Sequence, residues 1–236
     1  MGVTHSYSEW LPRSSGLKEA AVSYWGGATN LMLVLMTMSE IALSLPAGWF
    51  TESSYARPGT LLRLAWYPPT AAKTGGGGAA EGAASKAAAG GDSSEGTRYG
   101  AHTDYDGFTI LQRAPSGGDV DGLEMQAADG RWLPVPSPPG TLTVNIGDLL
   151  ARWTNDRWRA TSHRVAQPKA GSAKASAGRL SIVYFTGPHP DTLVECLPSA
   201  KCKGEGETPK YAPITAYDHV LSKMNAATAD ARGESV

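Results

Sequence analysis

The feature that most constrains the fold of this chain is a rhythm of short apolar segments separated by turn residues, beginning soon after Arg98. The segments are "FTILQR", "GLEMQA", "RWLPV", "TLTVNI", "ATSHRVA" and "RLSIVYF". They are rich in Thr, Val, Ile and aromatic residues, whose branched or planar side chains suit a pleated surface. Turn chemistry divides them: "ADGR" at 128–131, "SPPG" at 137–140 and "IGD" at 146–148. Strands that follow one another at such short intervals leave no room for crossover helices. The chain therefore reads as mainly β with flanking helices, an antiparallel sandwich or barrel rather than alternating βα units. At 236 residues it is long enough for one well-buried domain.

Upstream of this rhythm the character differs. Residues 17–45 carry helix formers, with Leu31, Val34, Leu35, Met38, Ile41 and Leu45 at three- and four-residue steps, and Pro46 and Gly48 then stop the helix. The Met-rich stripe predicts a helix that faces the core. Ser39 and Glu40 interrupt the run, which is too short to span a bilayer. "TLLRLAW" at 60–66 reads as a strand ended by Pro68 and Pro69. Residues 70–97 are almost entirely Gly, Ala, Ser, Lys and Glu, too poor in apolar surface to offset the entropy of ordering, and predict a flexible insertion. Its "KTGGGG" lacks the GK[ST] of a phosphate loop. The expected organisation is an N-terminal helical segment over 1–59, a β domain over 60–224 and a disordered tail over 225–236.

Charge and cysteine content narrow the function classes. With 21 basic and 22 acidic residues the net charge is -1, and no basic cluster points to nucleic acid or an anionic membrane. A small molecule is the expected partner. The two cysteines, Cys196 and Cys202, cannot form a disulfide framework, and Met1 to Trp10 lacks the pattern of a secretory signal. Together these predict a reducing, cytoplasmic setting.

The chemistry-bearing residues lie within the β rhythm. His102 and Asp104 in "YGAHTDYDGFTIL" are two apart, so on a strand both would leave the same face and reach one ion. Two His and one carboxylate on one face of a metal leave open positions, an arrangement that suits iron(II) oxygenases. Of the five histidines, His163 is the one in a downstream strand segment and is the natural third ligand. His5, His189 and His219 read as surface residues. In "GRLSIVYF", Arg179 and Ser181 share one strand face while Leu180, Ile182 and Tyr184 share the other. The planar fork of a buried Arg matches a carboxylate bidentately, and a neighbouring hydroxyl can donate to the same oxygens.

With these residues in place, the stretch from about Leu61 to Met224 resembles the isopenicillin-N-synthase-like family of iron(II)/2-oxoglutarate dioxygenases. The resemblance is carried, in family order, by "AHTD", "GLEMQAADGRWLPVPSPPGTLTVNIGDLL", "TSHRV" and "RLSIVYF". It implies a double-stranded β-helix, or jelly roll. It implies His102, Asp104 and His163 as ligands of Fe(II), and Arg179 and Ser181 as the clamp for the distal carboxylate of 2-oxoglutarate. Tyr67 in "AWYPP" matches a family tyrosine that contacts this cosubstrate, where the family commonly shows Asn-Tyr-Tyr-Pro. Asp106 also falls on the ligand side and is expected as a pocket or strand-end residue. The implied reaction uses dioxygen, with ascorbate as an optional accessory, and oxidises a small organic substrate with release of succinate and carbon dioxide.

The chain departs from the family in the short region before the Leu17 helix, in the 70–97 insertion and in "KAGSAKASAG" at 169–178, which lengthens the hairpin between His163 and Arg179. Two other readings remain open. One is an iron oxidase of the same fold that does not use 2-oxoglutarate, with Arg179 and Ser181 holding a substrate carboxylate. The other is an inactive jelly-roll binding module.

Overall fold

A computed structural model describes residues 16–69, 96–113, 122–168 and 178–232. Helix α1 (Leu17–Ala42) is followed by a π-helical turn (Phe50–Ser54) and strand β1 (Leu61–Tyr67). Then come β2 (Thr97–His102), β3 (Phe108–Arg113), β4 (Leu123–Gln126), β5 (Trp132–Pro134) and β6 (Thr143–Ile146). The short helix α2 (Asp148–Trp153) precedes β7 (His163–Ala166) and β8 (Arg179–Phe185), and β9 (Leu193–Val194), β10 (Ile214–Thr215) and α3 (Ala216–Arg232) complete the order.

The strands form two four-stranded antiparallel sheets, ordered β1-β8-β3-β6 and β2-β7-β4-β5, with β9 and β10 as a separate pair. This is the jelly roll expected from the sequence. The outer face of the first sheet is covered in part, with Leu64, Trp66 and Leu180 exposed. On its outer face Tyr184 and Ile110 are fully buried beneath α1. There the Tyr184 hydroxyl and Thr29 Oγ1 are 2.8 Å apart, and the Trp25 ring meets Tyr184 edge-on at 5.6 Å. Its inner face carries Arg63, Ala65 and Tyr67 of β1 beside Val183, Ser181 and Arg179 of β8, in that register.

Several expectations need correction. Helix α1 buries Ala28, Met32, Met36, Ser39 and Glu40, whereas Val34, Met38 and Ile41 of the expected core stripe are 54%, 59% and 75% exposed. Glu40 decides this orientation, because its carboxylate accepts hydrogen bonds from the backbone N–H groups of Gly48 (3.0 Å), Phe50 (2.8 Å) and Thr51 (3.0 Å) and from Thr51 Oγ1 (3.2 Å). A buried carboxylate so surrounded has its charge compensated and can face inward. Burial alone would raise its pKa, but these donors outweigh that and hold it below the ordinary glutamate value. Helix α3 continues to Arg232, past residue 225 where a disordered tail was expected. His219, read as a surface residue, is buried at 5% exposure on that helix. The insertion expected at 70–97 lies outside the described residues except for Gly96 and Thr97, and Thr97 already belongs to β2. His5 and all of 169–178 but Gly178 also lie outside them.

Candidate metal centre

Two of the expected ligands come from one strand pair. His102 at the end of β2 and His163 at the start of β7 are register partners, and their ring centroids lie 4.3 Å apart. Strand β2 stops at His102, so Asp104 is not on the strand as its spacing suggested but in the loop that follows. That loop is gripped by the start of α2: Asp148 N–H donates to Asp104 O (2.8 Å), Leu149 N–H to Asp106 O (3.1 Å) and Gly147 N–H to Gly107 O (2.6 Å). The first N–H groups of a helix have no intrahelical acceptor, and here they hold the loop in place.

The three side chains converge. Asp104 Oδ1 lies 3.8 Å from His102 Nε2 and 3.7 Å from His163 Nε2, and one ligand atom from each residue falls within 4.8 Å of the others. Each ring places its Nδ1 near the carbonyl two residues earlier, Gly100 O at 2.9 Å and Thr161 O at 3.0 Å. A proton on Nδ1 leaves the Nε2 lone pairs facing the gap, the tautomer a metal needs. Burial first, and then the neighbouring His163, holds the His102 pKa below the ordinary imidazole value; Arg63 also pushes it down, against the Gly100 hydrogen bond and Asp104. The donor set therefore fits a divalent metal on chemical grounds: two neutral imidazoles and one carboxylate on one side, and no fourth protein ligand in the cluster among the described residues.

The other Asp104 oxygen is held by a residue that sequence reasoning passed over. Asn145 Nδ2 on β6 donates to Asp104 Oδ2 at 2.6 Å, which leaves Oδ1 to face the histidines. The alternation of "TVNI" places Asn145 beside Thr143 on one face, but only the tertiary fold shows that this face meets Asp104. Asp106 is half-buried next to this loop, and burial together with the Asp104 charge pushes its carboxyl up to about 6.

The residues expected to form the clamp lie together on the first sheet. Tyr67 and Arg179 are register partners, and the guanidinium carbon sits 4.4 Å from the centroid of the Tyr67 ring. Ser181, two residues along β8, is buried on the same face. Burial raises the Tyr67 pKa and Arg179 opposes the rise, so the phenol is protonated at neutral pH and can donate. Arg98 is near enough to Arg179 to add to the positive field and donates to Pro68 O at 3.1 Å. Of the histidines outside the triad, His189 is half-exposed beside Asp191, and His219 Nε2 lies 3.7 Å from Asp148 Oδ2, which also pairs with Lys223 at 2.8 Å. Neither joins the metal cluster.

A family model for the 2OG-Fe(II) oxygenase superfamily matches residues 87–188, a span that holds the triad, Arg179 and Ser181. The chain belongs to this superfamily. The chain is 42% identical, over 89% of its length, to the 2-oxoglutarate-Fe(II) type oxidoreductase hxnY of Emericella nidulans, of which it covers 52%. It is 31% identical, over 84% of its length, to the validamycin A dioxygenase of Streptomyces hygroscopicus subsp. limoneus, of which it covers 48%. It thus spans about half the length of these curated relatives. Among solved structures, a full-length Neurospora crassa protein in complex with alpha-KG and 5-formyluracil superposes with a TM-score of 0.70 at 25% identity, covering 90% of this chain and 61% of that one.

Proposed function

We propose that the oxygenase binds Fe(II) through His102, Asp104 and His163, binds 2-oxoglutarate through Arg179, Ser181 and Tyr67, and oxidises a small organic substrate, most simply by hydroxylation. The observation that carries this reading is the convergence of two Nε2 atoms and one carboxylate oxygen on a common point, with every second heteroatom already engaged by the protein. Bound there, iron(II) with 2-oxoglutarate supplies the activation of dioxygen, one atom of which enters the substrate and the other succinate, with carbon dioxide released.

The residues divide the remaining work. Nδ1 of each histidine is tied to the main chain, so both rings keep their orientation. Asn145 holds Asp104 Oδ2, so Oδ1 is the oxygen that Asp104 would offer to the metal. Arg179 offers a bidentate fork to a carboxylate, Ser181 adds a hydroxyl donor, and Tyr67 supports the guanidinium from its ring face. Among the described residues no helix is long and apolar enough to cross a membrane, and the two free thiols fit a reducing, cytoplasmic setting.

The test is anaerobic. Iron(II) and 2-oxoglutarate added to the purified chain should produce the weak visible charge-transfer band of their chelate, and His163→Ala should abolish it. On admitting oxygen, succinate should form. Iron binding without the band favours the oxidase reading, and failure to bind iron favours an inactive binding module.

A further inference from the structure

A second cation faces the same interior, with no anion paired to it among the described residues. Arg63 shares the inner face of β1 with Ala65 and Tyr67, and it is half-buried. Its guanidinium carbon lies 5.7 Å from the centroid of the Tyr99 ring, and Tyr99 in turn packs edge-on against the His102 ring at 4.5 Å. The Tyr99 ring thus links Arg63 to His102, which places it beside the metal centre rather than outside the sandwich. Among the described residues no carboxylate or carbonyl pairs with it, and it rests against the face of the Tyr99 ring.

The contrast with the neighbouring inward arginine is informative. Arg113, also on the inner face, donates to Val135 O (3.0 Å), Pro136 O (2.8 Å) and Thr143 Oγ1 (3.0 Å), and so serves the structure. A half-buried guanidinium that no acceptor among the described residues engages keeps its donors available to an anion. That anion is a different one from the cosubstrate carboxylate held at Arg179. Arg63 and Tyr67 are four residues apart on one strand, about 13 Å at the usual rise, and Tyr67 is the residue beside Arg179.

We propose that Arg63 receives the carboxylate of the organic substrate, so that the oxygenase acts on small organic acids. The inference rests on the proposed function, in which Arg179 is already occupied by 2-oxoglutarate. Tyr99 holds the guanidinium near the metal-centre wall, and a carboxylate accepted there fixes one end of the substrate close to His102.

Calorimetric titration of benzoate into the iron(II)- and 2-oxoglutarate-loaded protein under anaerobic conditions tests this, with benzamide as the neutral isostere. Benzoate and not benzamide should bind the parent. Arg63→Gln should weaken benzoate by about tenfold or more, the loss expected for one charged hydrogen-bonding partner, while Arg63→Lys retains part of the affinity. The chelate band should persist in Arg63→Gln, which shows that the variant is folded and keeps its cosubstrate site. Absence of benzoate binding in the parent, equal binding of benzamide, or affinity that is lost in Arg179→Gln but kept in Arg63→Gln each overturns the proposal. A missing chelate band in the parent overturns the 2-oxoglutarate reading instead, and the same Arg63 and Arg179 variants titrated with iron(II) alone still decide where the anion binds.

Discussion

Asn145 shows how much of a metal site is set by residues that never touch the metal. Its amide holds Asp104 Oδ2 at 2.6 Å and so selects which oxygen faces the histidines. Asn145→Ala is expected to weaken iron(II) binding by about 10- to 100-fold, the usual consequence of losing a partner that orients a ligand, while circular dichroism stays that of the parent; equilibrium titration with iron(II) measures it. Arg179→Lys should raise the 2-oxoglutarate concentration needed for half-maximal succinate formation and leave iron affinity unchanged, since a point charge replaces a planar fork. At this scale the sequence was informative where chemistry depends on spacing. His102 and Asp104 could be paired from two positions of separation, and Arg179 with Ser181 likewise. It was uninformative for Asn145 and Arg63. Their side chains become chemically meaningful only when strands distant in sequence, β6 and β1, bring them against Asp104 and Tyr99.

Among the elements, α1 and the 103–107 loop behave differently from their sequence patterns for one shared reason: backbone N–H groups, which a sequence does not display, satisfy acidic or carbonyl oxygens. In α1 two flanks are apolar, one with Met32 and Met36 and the other with Val34, Met38 and Ile41. Ser39 and Glu40 made the first flank look polar, yet the π-helical turn supplies N–H groups that let Glu40 be buried. Glu40→Ala would orphan those donors and is expected to cost roughly 2–4 kcal/mol, read by urea denaturation. Because the folded pKa of Glu40 lies below the ordinary value, its contribution is present above that value and is lost as pH falls through the folded pKa; the parent and Glu40→Gln should therefore converge in stability on acidification. Gly147 has an ordinary backbone but no room. A Cβ there would press against Asp106 O and Gly107 O, the acceptors that tie α2 to the ligand loop. Gly147→Ala should weaken iron binding more than it lowers thermal stability, and a stability loss with unchanged affinity would show that the loop does not depend on this contact.

The whole molecule was legible as two antiparallel sheets because strand rhythm and turn chemistry are local properties, and they survive in the fold with bounds close to those expected. What was not legible is which sheet carries which half of the chemistry. His102 and His163 belong to the β2-β7 wall, whereas Tyr67, Arg179 and Ser181 belong to the β1-β8 wall. Saturating iron(II) at about 100 times its dissociation constant should add about 2.7 kcal/mol to the folded state, visible as a rise in melting temperature that His163→Ala lacks. Addition of 2-oxoglutarate should raise it further in the parent but not in Arg179→Gln. Under the proposed function the cosubstrate would act as a rivet, with one end held at the triad on one wall and the other at Arg179 on the opposite wall. Loss of one carbon in each turnover would shorten that rivet, so the seam between the walls would loosen at the moment the product has to leave.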